Sequence, residues 1–196
     1  MIFQVYDAFD DPYCYPGSDV LRNRLGLTNA TDLEAFETEI TAARAAEPLP
    51  NGRFGVAHYQ AIHRHLFQDV YPWAGKFRTV RIAKGGNSFC YPEYIKSEMD
   101  KLFAQLLANK WPKDRDRERF IEGATAFLAD LNQIHPFREG NGRTQLAFMA
   151  ALSDRAGHPL TFEGLDPAAM LDAMIASFHG QTEALRRLLL ELTSRA

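Results

Sequence analysis

The sequence predicts a mostly α-helical protein with one small β-hairpin. Three observations carry this. Apolar residues recur every three to four positions in most segments; Phe120, Ile121, Ala124, Phe127, Leu128, Leu131 and Ile134 form the broadest stripe. Phe77 to Ala83 instead alternates, with Val80 and Ile82 set against Thr79 and Arg81, which is strand periodicity. Finally, 196 residues with 46% apolar and 24% charged side chains suit one globular domain over 1–196 with a full core.

Taken in order, Asp11 to Gly17 is rich in Tyr, Pro and Asp and reads as an ordered entry loop. Ser18 is placed to cap a short helix ending near Gly26. Thr31-Asp32-Leu33-Glu34 has capping-box spacing, so a helix should run from there to about Ala46, where Pro48 and Pro50-Asn51-Gly52 break it. Helical spacing resumes over Val56 to Val70, with Ile62, Leu66 and Val70 on one stripe. His58, His63 and His65 lie there, but His63 and His65 point to different faces, which argues against a shared metal. After the alternating segment, Lys84-Gly85-Gly86-Asn87 reads as a turn and Ser88-Phe89-Cys90 as a short return strand. A lone hairpin is marginal in water, so it is either held by neighbouring helices or used as an edge for another chain. Pro92 suits a first helical position, with that helix reaching about Asn109 and stopped by Trp111-Pro112. The long stripe gives a helix over Asp114 to Ile134. Further helices should cover Arg143 to Ala156 with Gly157 as the stop, Asp166-Pro167 to near Gly180, and Thr182 onward with Leu185, Leu188, Leu189 and Leu192 on one face.

A net charge of −3 gives no reason to expect nucleic-acid binding. No stretch is apolar and long enough to span a membrane, and Met1 to Asp11 lacks the basic and apolar regions of a signal peptide. Two cysteines, Cys14 and Cys90, without metal-ligand spacing, point to free thiols in a reducing cytoplasmic setting.

The chemistry gathers in His135-Pro136-Phe137-Arg138-Glu139-Gly140-Asn141-Gly142-Arg143. A glycine-rich turn entering a helix presents backbone N–H groups and the positive end of the helix dipole, which is an anion site suited to phosphate. Arg143 adds a fork of donors for phosphate oxygens. Glu139 would repel phosphate unless Mg²⁺ bridges the two. His135, at the end of a long helix, stands where a general base would be needed. Phe137 reads as a core anchor for the loop.

This stretch resembles the signature of the Fic family, His-x-Phe-x-(Asp/Glu)-Gly-Asn-Gly-Arg-x-x-Arg, at every position except the last, where Leu146 stands in place of arginine. Pro16 to Leu21 and Trp73 to Arg78 also resemble Fic segments. The resemblance implies a helical Fic fold and transfer of AMP from ATP, with Mg²⁺, to a hydroxyl of a target protein. It implies His135 as the base and Glu139 as the metal ligand. Gly140, Asn141, Gly142 and Arg143, with Lys84 and Gly85 of the hairpin, would hold the nucleotide. The hairpin would be a flap docking a target segment along Val80, Arg81, Ile82 and Ala83. Many relatives are silenced by a helix carrying Ser/Thr-x-x-x-Glu-Gly/Asn. The glutamates preceding glycine here, Glu122, Glu139 and Glu163, have Glu118, His135 and Pro159 four positions earlier, so none completes it. The chain is therefore similar to Fic toxins that a small antitoxin chain silences, whether they act in their own cytoplasm or are delivered into another cell.

Leu146 cannot reach a phosphate, so ATP should be held more weakly, or another pyrophosphate-linked donor used. Two alternatives to adenylylation stand beside it. One is transfer of another nucleotide or phosphate-containing group, although the family's phosphate-transferring branch carries lysine at the Gly142 position. The other is a catalytically weakened target-binding module.

Overall fold

The computed structural model describes residues 11–108 and 116–194, and among these described residues seven helices and one hairpin follow one another. The expectations for residues 1–10, for the helix end near Asn109, for the Trp111-Pro112 stop and for a helix start at Asp114 lie outside the described residues. The described residues fall into two compact units, one of 11–96 with 136–144, the other of 97–108, 116–135 and 145–194.

In the first unit, α1 (Ala30–Ala45) packs on α2 (Val56–Phe67). The cap of α1 is Asn29, whose side chain accepts from the amides of Thr31 and Asp32, so the helix starts ahead of the Thr31 capping box. Its inward face is Leu33, Glu37 and Thr41, a four-residue spacing that puts a carboxylate at a core position. Ile62, Leu66 and Val70 are all buried as their stripe requires.

The short helix expected from Ser18 to Gly26 does not form. Ser18 Oγ instead accepts from the Val20 amide, Cys14 and Leu21 form an isolated antiparallel bridge, and the Asn23 side chain bonds the Leu21 and Leu27 carbonyls and the Leu27 amide. Side chains thus satisfy backbone groups that a helix would have used.

The hairpin is also shorter than its periodicity suggests. β1 is Ala83–Lys84 and β2 is Asn87–Ser88, in antiparallel register, joined by Gly85 and Gly86 at φ +56° and +81°. Residues 77–82 lie outside the two strands, although the Ile82 carbonyl accepts from the Phe89 amide at 3.2 Å. Arg78, 2% exposed, donates from its guanidinium to the Val80 and Cys90 carbonyls at 2.6 Å each and so takes acceptors that a partner strand would have used.

The second unit holds α4 (Arg117–Ile134), α6 (Pro167–Phe178) and α7 (Glu183–Ser194), which pack on one another. Asp116 caps α4 through the Arg119 amide, and Asp166 caps α6 through the Ala168 amide with Pro167 at the first position. Every residue of the α4 stripe is buried. α3 (Pro92–Ala108) and α5 (Asn141–Ala156) begin in the first unit and continue into the second, where Phe103, Phe127 and Phe148 interlock at centroid distances of 5.3–5.8 Å. α5 starts two residues earlier than its apolar spacing indicated. Cys14 and Cys90 are free thiols, and among the described residues no helix is long and apolar enough to cross a membrane.

Candidate active site

The first unit holds the glycine turn. Gly140 adopts φ +81°, and a Cβ added there would lie 2.3 Å from the Phe67 ring, so only glycine fits on both counts. The Thr144 amide donates to the Gly140 carbonyl at 3.1 Å, with Thr144 Oγ1 on the same oxygen at 2.8 Å. The amides of Asn141 and Gly142 precede that bond at the helix start and have no helical acceptor. Gly142 is exposed, with open space where a Cβ would stand. Glu139 turns its carboxylate onto this end of α5, where its Oε1 accepts from the Gly140 amide at 2.8 Å.

Four contacts hold the turn. Phe137 is fully buried, its ring stacked 3.7 Å from His63 and 5.4 Å from Tyr59 between centroids. The Pro136 carbonyl accepts from the Arg78 amide at 2.9 Å. Arg138, 4% exposed, forms an ion pair with Asp11 at 2.5 Å. His63 accepts at Nδ1 from the Gly75 amide at 2.8 Å and, because a carbonyl can only accept, donates from Nε2 to Glu139 C=O at 2.9 Å. Burial lowers its pKa to about 3, and protonating Nδ1 would set it against the Gly75 N–H. The three histidines of α2 therefore serve backbone groups. His58 bonds the Pro50 carbonyl and the Phe54 amide, and His65 bonds the Arg44 carbonyl. Among the described residues no three metal-ligating side chains gather at one point.

The Asn141 side chain turns back onto Phe137. It is 1% exposed, and its amide group accepts from Phe137 N–H at 2.9 Å and donates to Phe137 C=O at 2.8 Å. Both ends are committed, so it staples the turn. Arg143, in the first turn of α5, donates to Thr41 Oγ1 at 3.1 Å and forms an ion pair with Glu37, with Glu139 Oε1 at 3.6 Å; its guanidinium lies 4.6 Å over the Phe67 ring. Glu37 was not among the sequence candidates. Its signal was a glutamate four residues from Leu33 on the inward stripe of α1.

The hairpin residues divide. Ile82 is 2% exposed and belongs to the core, and its carbonyl accepts from the Phe89 amide across the hairpin at 3.2 Å. Arg81 is exposed and lies 4.1 Å over the Tyr91 ring. Val80 and Ala83 are half-buried, and Gly85 is exposed at the turn. Burial lowers the Lys84 pKa while the charge of Glu139 raises it, so Lys84 is within electrostatic reach of that carboxylate.

In the second unit, His135 ends α4 with φ 48°, a left-handed conformation that a residue other than glycine adopts at a cost and that recurs at functional positions. Its amide closes the helix on Leu131 C=O at 3.0 Å. Its Nδ1 is 3.2 Å from Asn132 C=O. The carbonyl accepts, so Nδ1 carries the proton and Nε2 the lone pair, the tautomer a base at Nε2 requires. The Asn132 side chain is tied to Met174 C=O of α6 at 2.9 Å. Leu146, on α5, is half-buried.

The Fic/DOC family model matches residues 53–153. The chain belongs to the Fic/DOC family. It is 52% identical over 176 residues to a probable protein adenylyltransferase of Sinorhizobium fredii, covering 89% of this chain and 92% of that one. It is 35% identical to the probable protein adenylyltransferase Fic of Escherichia coli over 95% and 94% of the two chains. Its fold is similar to the crystal structure of the BepC protein of Bartonella tribocorum with bound AMPPNP, with a TM-score of 0.83, 28% identity, and 92% and 95% coverage. The Fic fold, a helical chain with one small hairpin, is thus the one this sequence adopts.

Proposed function

We infer that this Fic protein is a protein adenylyltransferase, moving AMP from ATP to a hydroxyl side chain of a target protein. The observation that carries the reading is the start of α5, where a glycine turn, unsatisfied helical amides, Arg143 and Glu139 meet in the first unit. Relatives named as adenylyltransferases and a neighbour holding an ATP analogue support it.

The roles follow from the chemistry of each group. The Asn141 and Gly142 amides and the dipole of α5 attract the phosphates. Arg143 carries positive charge to the β-phosphate side. His135 Nε2 takes the proton of the attacking hydroxyl, and its fixed tautomer spares the base from reorienting. Glu139 fits Mg²⁺ as a single hard carboxylate beside a phosphate site, the usual provision for an ion held mainly by phosphates and water. When bound, the ion neutralises phosphate charge. Positioning and electrostatics supply most of such catalysis.

The target would lie along the hairpin. Among the described residues it is a two-stranded sheet, so its outer edges offer backbone pairing to an extended segment. Need for ATP places the activity inside a cell, its own cytoplasm or one that receives it. A small antitoxin chain fits a protein without the inhibitory glutamate pattern of its own; with Leu146 in place of arginine, such a partner would act by covering the site.

The test is incubation with ATP labelled at the α-phosphate, or at the γ-phosphate, and a cell extract. The expected result is α-label on protein, lost in His135→Ala by about 10²–10⁴ in rate. Label from the γ-phosphate alone would assign phosphate transfer, and no label from either would assign a binding module.

A further inference from the structure

We propose that Glu37 is a positioning residue for nucleotide binding: it holds the Arg143 guanidinium beside the start of α5, so that the arginine meets the phosphates already oriented. The proposal rests on the adenylyl-transfer reading of that turn.

Glu37 is 1% exposed and sits on the inward stripe of α1. One carboxylate oxygen accepts from Arg143 and the other from the Tyr71 hydroxyl, so the carboxylate itself cannot rotate. Thr41, one turn further, donates its hydroxyl to Glu37 C=O at 2.7 Å and accepts from Arg143 Nη1 at 3.1 Å. The Phe67 ring closes a third side, with the guanidinium carbon 4.6 Å from its centroid. The same ring packs under Gly140. Arginine, ring and turn are therefore one packed group, and the carboxylate is its anchor.

Stability is a poor reason for such an anchor. A buried ion pair often returns no more than its desolvation costs, and apolar residues of similar volume frequently do as well. Burial pushes the Glu37 carboxyl above its ordinary value in spite of Arg143. What the pair does supply is orientation. A long arginine side chain has several rotatable bonds, and fixing it before the ligand arrives removes that ordering cost from binding. The need is greater here because Leu146 stands where the family pattern has a second arginine. Arg143 remains 28% exposed on its side chain, so the anchored group still presents a face to a ligand.

Calorimetry with ATP and with AMP on the full chain tests this. Glu37→Gln keeps the shape and removes the charge; it should raise the Kd for ATP roughly tenfold, which is 1.4 kcal/mol. The Kd for AMP, which lacks the phosphates Arg143 serves, should stay within about twofold; a merely structural role would move both. Arg143→Gln should raise the ATP Kd at least as much. The double variant should be no worse than Arg143→Gln alone, because Glu37 acts through the arginine. Tyr71→Phe, which frees the carboxylate to rotate, should move ATP affinity in the same direction by less, and it carries the test if Glu37→Gln fails to fold. An unchanged or tighter ATP Kd in Glu37→Gln, equal losses for ATP and AMP, or additive losses in the double variant would overturn the proposal. An unchanged ATP Kd in Arg143→Gln would instead overturn the nucleotide reading of the turn itself.

Discussion

Replacing Gly140 by alanine tests the packing of the turn most directly. The residue holds φ +81°, and its Cβ would stand 2.3 and 2.4 Å from two Phe67 ring carbons. Ordinary carbon contacts are about 3.5–4.0 Å, so ring or turn must move by more than an ångström. Phe67 has little room. It stacks on His63 at 4.8 Å, lies near Tyr71 at 6.2 Å, and carries Arg143 on its face. The left-handed backbone costs an alanine about 1–2 kcal/mol and the overpacking about 1–3 kcal/mol. Their sum, about 2–5 kcal/mol, lowers the melting temperature by about 4–20 °C in a domain of this size. Gly142→Ala is the control. Its Cβ meets nothing within 4 Å, and alanine there should be neutral or stabilising by up to about 1 kcal/mol. Phe67→Leu in the Gly140→Ala background should recover part of the loss by removing the clash and leaving the backbone strain. Scanning calorimetry on the four proteins settles it. A Gly140→Ala protein that melts within a degree of the parent would show that Phe67 yields freely and that the turn is not held by this contact.

Other outcomes are open to measurement. Leu146→Arg should fold, since the position is only half-buried, and should raise ATP affinity roughly tenfold by a charge-assisted contact; a stable variant with unchanged affinity would remove this position from the nucleotide. Glu139→Gln should abolish the Mg²⁺ dependence of ATP binding in calorimetry, and equal dependence in both proteins would remove Glu139 from the metal site. Acid should weaken the fold through His63. Its folded pKa is about 3 against 6.5 unfolded. The unfolded chain therefore binds the proton first, and stability falls by up to about 1.4 kcal/mol per pH unit from pH 6.5 down towards 3. Denaturant titrations of His63→Gln should start lower by about 1–3 kcal/mol and show a flatter slope across that window; parallel slopes in the two proteins would refute the assignment.

What the sequence determined by itself is what short-range forces decide. Helix extents rest on caps and on side chains three or four positions apart, so α4, α6 and α7 lie within a few residues of where the long apolar stripe, Asp166-Pro167 and the leucine spacing put them. Gly85-Gly86 marked a hairpin for the same local reason, and the His135–Arg143 stretch was recognisable because its residues are contiguous. Tertiary structure decided the rest. Ser18 to Gly26 had a usable cap but gave its backbone to Asn23 and to strand-like pairing. Thr79 to Ile82 had strand periodicity, yet a buried arginine took the Val80 and Cys90 carbonyls that would have carried the ladder past Ile82. The bonds by which the Asn141 side chain staples the turn depend on Phe137 being buried beside it. The pairs that hold the site join residues far apart in the chain: Arg143 with Glu37, Glu139 with His63, Arg138 with Asp11. Periodicity shows that Glu37 faces inward, but which charge meets it depends on how α1, α2 and the turn pack. A buried carboxylate finds its partner only when the core closes around both.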